Sequence, residues 1–219
     1  MNLNIPYMET DNKLLNDAYR IAAGDIVGNI VYYQNGLLTE EKPCMIAGLD
    51  YNTPWTRDTA INIWNALSIL SPEVSKNTLL AVLEEEEGNI YIGGQYWDSI
   101  IWMIGAREYC RFHKDDNFYR LAFEAGRNSV HRLEEDEFDE EDGLFRGPAV
   151  YGDGIAAYPD KYSKCPNQGS GILEWVDYPG NPVYPKGYGI PMKALSTNCV
   201  YFKVYEILAE MAHALGEPA

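Results

Sequence analysis

The chain has 219 residues, with 17 Lys and Arg against 33 Asp and Glu, for a formal net charge of −16. Its 46% hydrophobic content excludes a disordered chain, and its length suffices for a real core. The acidity excludes a nucleic-acid binder that tracks phosphates and disfavours anionic membrane surfaces. Apolar runs are short and broken, so no membrane span is predicted. Met1-Asn2-Leu3-Asn4-Ile5-Pro6 carries neither a basic nor an apolar leader region. A cytoplasmic chain is therefore expected, or a periplasmic or secreted one if a leader has been removed.

Helical periodicity dominates the chain. After Asp11, read as an N-cap, Leu14, Leu15, Ala18, Ile21, Ala22, Ile26 and Ile30 form one apolar face. A polar turn follows at Gln34-Asn35-Gly36. A second helix starts near Thr56 and carries Ile61, Trp64, Ala66, Leu67 and Leu70. Ser71-Pro72-Glu73 opens a third, with Pro at its first position, and the acidic run Glu84 to Glu87 is read as its end before Gly88. Asn89-Ile90-Tyr91-Ile92 is the one short strand candidate. A fourth helix is predicted over 96–113, with Ile100, Ile101, Ile104 and Tyr109 as core. Asp115-Asp116 caps a fifth, with Phe118, Leu121, Ala122, Ala125, Val130 and Leu133 inside. The last runs over 194–215, closed by Gly216 as a C-cap glycine. Glu217-Pro218 then reads as the opening of another helix, so a truncated chain is expected.

The expected fold is thus all-α: a single domain over 1–219 of consecutive helical hairpins, with one long ordered loop at 135–193. That loop is rich in Gly, Pro, Tyr and Asp, and loops of such length in a compact domain are usually functional. Its acidic start, Glu134 to Asp142, fails the spacing of a calcium loop and is read as a solvated helix end. Cys44, Cys110, Cys165 and Cys199 are far apart and make no zinc pattern. They are read as buried free thiols. His113 and His131 are expected on exposed helix faces. No metal or organic cofactor is expected.

Four segments concentrate chemistry. Trp55-Thr56-Arg57-Asp58 places an aromatic face, a donor fork and a carboxylate at a helix start, which suits a carbohydrate. The same residues would equally serve as a buried Trp, an Arg paired to its neighbour and an Asp favourable to the helix dipole. Gln95-Tyr96-Trp97-Asp98 repeats the theme after Gly93-Gly94. In the long loop, Arg146 and Tyr151 precede Asp153, which stands between two glycines. A carboxyl there can serve as a general acid if apolar surroundings raise its pKa. Asp142-Gly143 is read as an ordinary turn. Glu174-Trp175-Val176-Asp177 can line a sugar subsite or simply pack the loop.

These segments resemble, in order, the motifs of the six-hairpin (α/α)6-barrel glycosidases. Trp55-Thr56-Arg57-Asp58 is similar to the Trp-x-Arg-Asp element clearest in glucoamylases. Gln95-Tyr96-Trp97-Asp98 is similar to the start of their second hairpin. Asp153 falls where trehalases and related α-glucosidases place the catalytic acid. Ala194-Leu195-Ser196-Thr197-Asn198 is similar to a Leu-Ser-x-Asn element before the fourth hairpin. The resemblance implies an inverting glycoside hydrolase acting on a neutral oligosaccharide. In it Arg57 and Asp58 hold hydroxyls, Trp55 and Trp97 form walls, and Asp98 binds near the cleavage point; Gln95, Arg146, Tyr151 and Trp175 are further candidate substrate-binding residues. Asp153 protonates the leaving oxygen. Inversion also needs a base roughly 6.5–9.5 Å from the acid. The family supplies it from a late hairpin, and Glu174 is the stand-in within this chain.

Twelve helices need about 350–400 residues at roughly 30 residues per helix and connection. The sequence therefore predicts the N-terminal half of the toroid. A half toroid would expose apolar helix faces. It would pair with a second copy or with a missing C-terminal half. Two other functions fit the same fold: a non-catalytic carbohydrate-binding or interaction half-barrel, and a sugar epimerase or isomerase. The latter needs a His pair, and none of the three His residues lies in the segments above.

Overall fold

The structure is a computed structural model that describes residues 5–48, 50–94, 97–147, 149 and 192–218, with Trp97 described by its backbone. The described chain is mostly helical, with six helices and a few short strands.

Helix α1 spans Lys13–Gly28. Its N-cap is Asn12, one residue beyond the expected Asp11: Asn12 Oδ1 accepts from the N–H groups of Leu14 and Leu15 at 3.0 and 3.3 Å. The apolar face of α1 does not become core. Leu14 is 80% exposed and Ile21 66% exposed, and no α1 residue is buried. Ile26, near its C-terminus, packs against the core. Strand β1, Ile30–Tyr33, pairs antiparallel with β2, Lys42–Met45. The Met45 N–H donates to Thr78 Oγ1 at 3.0 Å, which ties this ribbon to a later helix.

Helix α2 has three consecutive parts: α-helical Thr56–Asn62, a π turn Ile63–Leu67, and α-helical Ser68–Leu70. Helix α3, Pro72–Ala81, begins with Pro72 behind Ser71 as predicted. The acidic run after it is not a helix end. Leu83–Glu86 is strand β3, paired with β4, Asn89–Ile92. Glu87 and Gly88 both take positive φ, as a two-residue hairpin turn requires. Leu83 faces the core opposite Ile92, and the three glutamates behind it are exposed.

Helix α4 spans Trp97–Phe112 and supplies the centre of the core. Trp102 is fully buried, and its indole N–H donates to the Leu79 carbonyl of α3 at 3.2 Å. Ile100, Ile101 and Tyr109 are buried as expected. Helix α5, Asp116–Glu137, is capped by Asp115, which accepts from the Phe118 N–H at 3.0 Å. A third ribbon, β5 (Phe138–Asp139) with β6 (Leu144–Phe145), follows directly. The expected loop 135–193 thus opens on the end of α5 and a hairpin. Nor is its acidic start fully solvated, since Glu137 is buried. Helix α6, Leu195–Leu215, ends at Gly216 with φ 70°, the predicted C-cap.

Helices α2, α4 and α6 run parallel, side by side. Thr56 at the start of α2 meets Gly93 just before α4. At the other end, His113 Nε2 bonds the Ser68 carbonyl at 2.6 Å, so His113 is half-buried rather than exposed. Arg107 of α4 pairs with Glu210 of α6 at 2.8 Å. Helices α3 and α5 pack back antiparallel against this layer, α3 on α2 and α4, α5 on α4 and α6. Among the described residues one unit recurs three times: a helix, a two-stranded ribbon, then a helix of the parallel layer. The first two ribbons lead into the N-terminal end of a parallel helix, and the third lies against the N-terminal end of α6. Among the cysteines, Cys44 is buried, with its thiol pushed up to about 11 by burial. Cys110 is half-buried, and burial pushes its thiol up to about 12. Cys199, expected to be buried, is exposed because it lies on an outward face of α6.

A Cβ on Gly105 would stand 2.9 Å from Ala60 Cα and 3.0 Å from its carbonyl oxygen, so α2 and α4 touch through backbone. Gly105→Ala is expected to force the helices apart and cost about 1–3 kcal/mol, read as a lowered denaturant midpoint with unchanged m-value. Asp115 also pairs with Lys76 of α3 at 2.5 Å, and that hydrogen bond is the main reason its carboxyl lies below the ordinary 3.8. Its contribution is in place above pH 3.8 and is lost as the pH falls through the depressed folded value. Asp115→Ala should cost about 1 kcal/mol at neutral pH through the lost cap. The gap to the parent should narrow in acid melts.

Candidate functional site

The N-terminal ends of α2 and α4 bring together residues 41 positions apart in sequence. Arg57 Nη1 donates to both carboxylate oxygens of Asp98 at 3.1 Å. Asp58, the sequence neighbour, stands farther off, with its Oδ2 3.8 Å from Arg57 Nε. The side chains of Arg57 and Asp98 are 19% and 12% exposed. A largely buried ion pair with two charge-assisted hydrogen bonds is held stiffly, because breaking it strands a charge.

The backbone is shaped to allow this pair. Thr56 Oγ1 donates to the Gly93 carbonyl at 2.8 Å, and Ser99 Oγ donates to the Gly94 carbonyl at 3.1 Å. Gly94 has φ 111°, and a Cβ there would lie 3.0 Å from Asp98 Cβ. A side chain at 94 would have to hold a backbone conformation that favours glycine and would crowd Asp98. The glycine turn read from sequence thus packs directly against the Asp98 side of the ion pair.

Beside the pair lies an open aromatic surface. Trp55 is 41% exposed, and Tyr51 meets it edge-on, with centroids 6.1 Å apart at 80°. The Arg57 guanidinium carbon sits 6.0 Å from the Trp55 ring centroid. A flat apolar face next to fixed donors and acceptors is what a sugar ring needs: C–H groups on one side, hydroxyls at the edge. Trp55, Arg57, Asp58 and Asp98 are therefore gathered at one place.

Arg146 lies at the third ribbon, beside the N-terminus of α6. Its Nη2 pairs with Asp139 at 2.9 Å. Asn198, in the first turn of α6, holds this ribbon. Its Oδ1 accepts from the Phe145 N–H at 2.8 Å and its Nδ2 donates to the Phe145 carbonyl at 3.0 Å. The amide thereby imitates a strand neighbour. Phe145 in turn stacks on Tyr201 at 3.6 Å and 5°. Asn198 stood in a sequence motif without a role, and only the fold shows what it grips. The Asp142-Gly143 turn forms as expected, with φ 69° at Gly143.

Gln95, Tyr151, Asp153, Cys165, Glu174 and Trp175, together with the side chain of Trp97, lie outside the described residues. Among the described residues, no group of three or more His, Cys, Asp or Glu side chains is arranged to hold a metal ion. No described helix is long and apolar enough to cross a membrane. No protein-family model matches the chain, and neither a curated protein nor a solved structure does. Asn198→Ala would leave the N–H and C=O of Phe145 without their side-chain partner. It is expected to cost about 1–3 kcal/mol, measured as a lowered unfolding midpoint.

Proposed function

We propose that the chain is a glycoside hydrolase unit, with its three helix–ribbon–helix repeats forming three of the six hairpins of an (α/α)6 toroid. The observation that carries this reading is the Arg57–Asp98 pair beside exposed Trp55, built across two adjacent parallel helices. Its residues are those through which the chain resembles six-hairpin glycosidases. The alternation of a parallel layer with antiparallel covering helices supports the same fold.

In this reading, Trp55 carries the apolar face of a neutral sugar, while Arg57, Asp58 and Asp98 fix its hydroxyls. Asp153 gives a proton to the leaving oxygen. A carboxylate on the opposite face takes a proton from the attacking water, so the anomeric carbon inverts. Glu174 is this chain's candidate for that base. The acidic surface suits an uncharged glycan.

The test is incubation with a panel of neutral oligosaccharides, with products separated by chromatography and binding followed by tryptophan fluorescence. Trp55→Ala is expected to weaken binding about tenfold, equivalent to about 1.4 kcal/mol. Asp153→Asn in the full-length protein should cut turnover by about 10²–10⁴ while binding stays within about twofold. Unchanged turnover would move the acid role to another residue. Bound sugar that stays intact in every condition would make the chain a carbohydrate-binding module.

A further inference from the structure

A second set of charges gathers at the third ribbon. Asp139 ends β5, Arg146 follows β6, and Lys193 lies just before α6. One oxygen, Asp139 Oδ2, meets Arg146 Nη2 at 2.9 Å and Lys193 Nζ at 2.7 Å. Lys193 also reaches Asp142 Oδ2 at 2.6 Å. The other Asp139 oxygen accepts from the Glu141 N–H at 3.1 Å.

Backbone bonds lie beneath these ion pairs. The Gly147 N–H donates to the Met192 carbonyl at 2.9 Å, and Gly147 and Lys193 form a parallel bridge. The Arg146 N–H donates to the Glu137 carbonyl at 2.8 Å. Two stretches 46 residues apart are thereby joined at one spot, with Asp139 at the centre. The hydrogen bond from Lys193 is the main reason the Asp139 carboxyl lies below its usual range, and the same bond raises the Lys193 ammonium.

An arginine has many rotamers, and fixing one costs entropy unless a partner holds it. The side chain of Arg146 is only 12% exposed, and its partner stands on the neighbouring strand. Lys193 shares that partner, so the segment just before α6 and the guanidinium are set by one carboxylate.

We propose that Asp139, with Lys193, is a positioning pair that clamps the β5–β6 ribbon to the segment just before α6 and holds Arg146 in place for a glycan. The glycan part rests on the function proposed above together with the reading of Arg146 as a sugar contact; the clamp does not. Hydrogen exchange followed by NMR tests the clamp directly. Asp139→Asn should speed exchange of the Gly147 N–H at least tenfold, with α4 core amides within about twofold of the parent. Lys193→Met should act in the same direction, and Asp139→Glu, which keeps the charge, should stay near the parent. Unchanged Gly147 exchange in both neutralising variants overturns the clamp.

A double-mutant cycle tests the positioning, with affinity for a neutral oligosaccharide as readout. Asp139→Asn and Arg146→Ala should each weaken binding about tenfold, and together scarcely more than either alone. Losses that multiply to about a hundredfold would show that Asp139 does not act through Arg146, and would overturn the positioning role. If Trp55→Ala, Arg146→Ala and Asp139→Asn all leave binding unchanged while Gly147 exchange quickens, the glycan reading falls and the clamp stands.

Discussion

Two helix backbones meet at Ala60 and Gly105, and the candidate site depends on that meeting. With α2 and α4 in backbone contact, their first turns come close enough for Thr56 to bond Gly93 and for Arg57 to straddle Asp98. A larger residue at 105 would widen the seam, and the ion pair lies only two turns away. The same packing logic recurs where Gly126 of α5 lies against Met103 and Leu208, which bind α4 to both α5 and α6. Small residues thus set the helix spacing, and the spacing sets which charges can meet.

The threefold repeat gives the charges their arrangement. Each ribbon stands at the N-terminal end of a parallel helix, where backbone N–H groups favour carboxylates. Asp58 and Asp98 stand in such first turns. At α6 the arrangement differs: an amide, Asn198, takes the first-turn position, and the carboxylate stands on the ribbon as Asp139. Part of the net charge of −16 is therefore placed by architecture, where each carboxylate has a cation or a helix end beside it.

Much of this was legible in the sequence. Ser71-Pro72, Asp115-Asp116 and Gly216 mark helix ends by local chemistry alone, and the structure has them there. Trp55 to Asp58 and Asp98 could be placed at one end of the molecule because each follows a turn and opens a helix. The ribbons were harder. Strands of four residues leave little periodicity, and Lys42-Pro43-Cys44-Met45 does not alternate. Leu83 followed by three glutamates looks the same as a helix running into solvent. Only its register against Asn89–Ile92, which is non-local, makes it a strand. The partner of Arg57 was hidden for a similar reason: the neighbouring Asp58 is the local choice, and Asp98 becomes available only when two helices pack. Helix α1 shows the converse, since its pattern specified a helix but not what would cover it.

The π turn at Ile63–Leu67 bears on how the site is aimed. An α-helix advances about 100° per residue, so a wide turn that accommodates extra chain resets the angular phase of everything beyond it. In α2 the first two turns carry Arg57 and Asp58, and the last carries Ser68 against His113. Those two ends therefore answer to different azimuths. The wide turn acts as a rotary offset in a rigid shaft, letting one end present Arg57 to Asp98 while the far end keeps its own bond to His113.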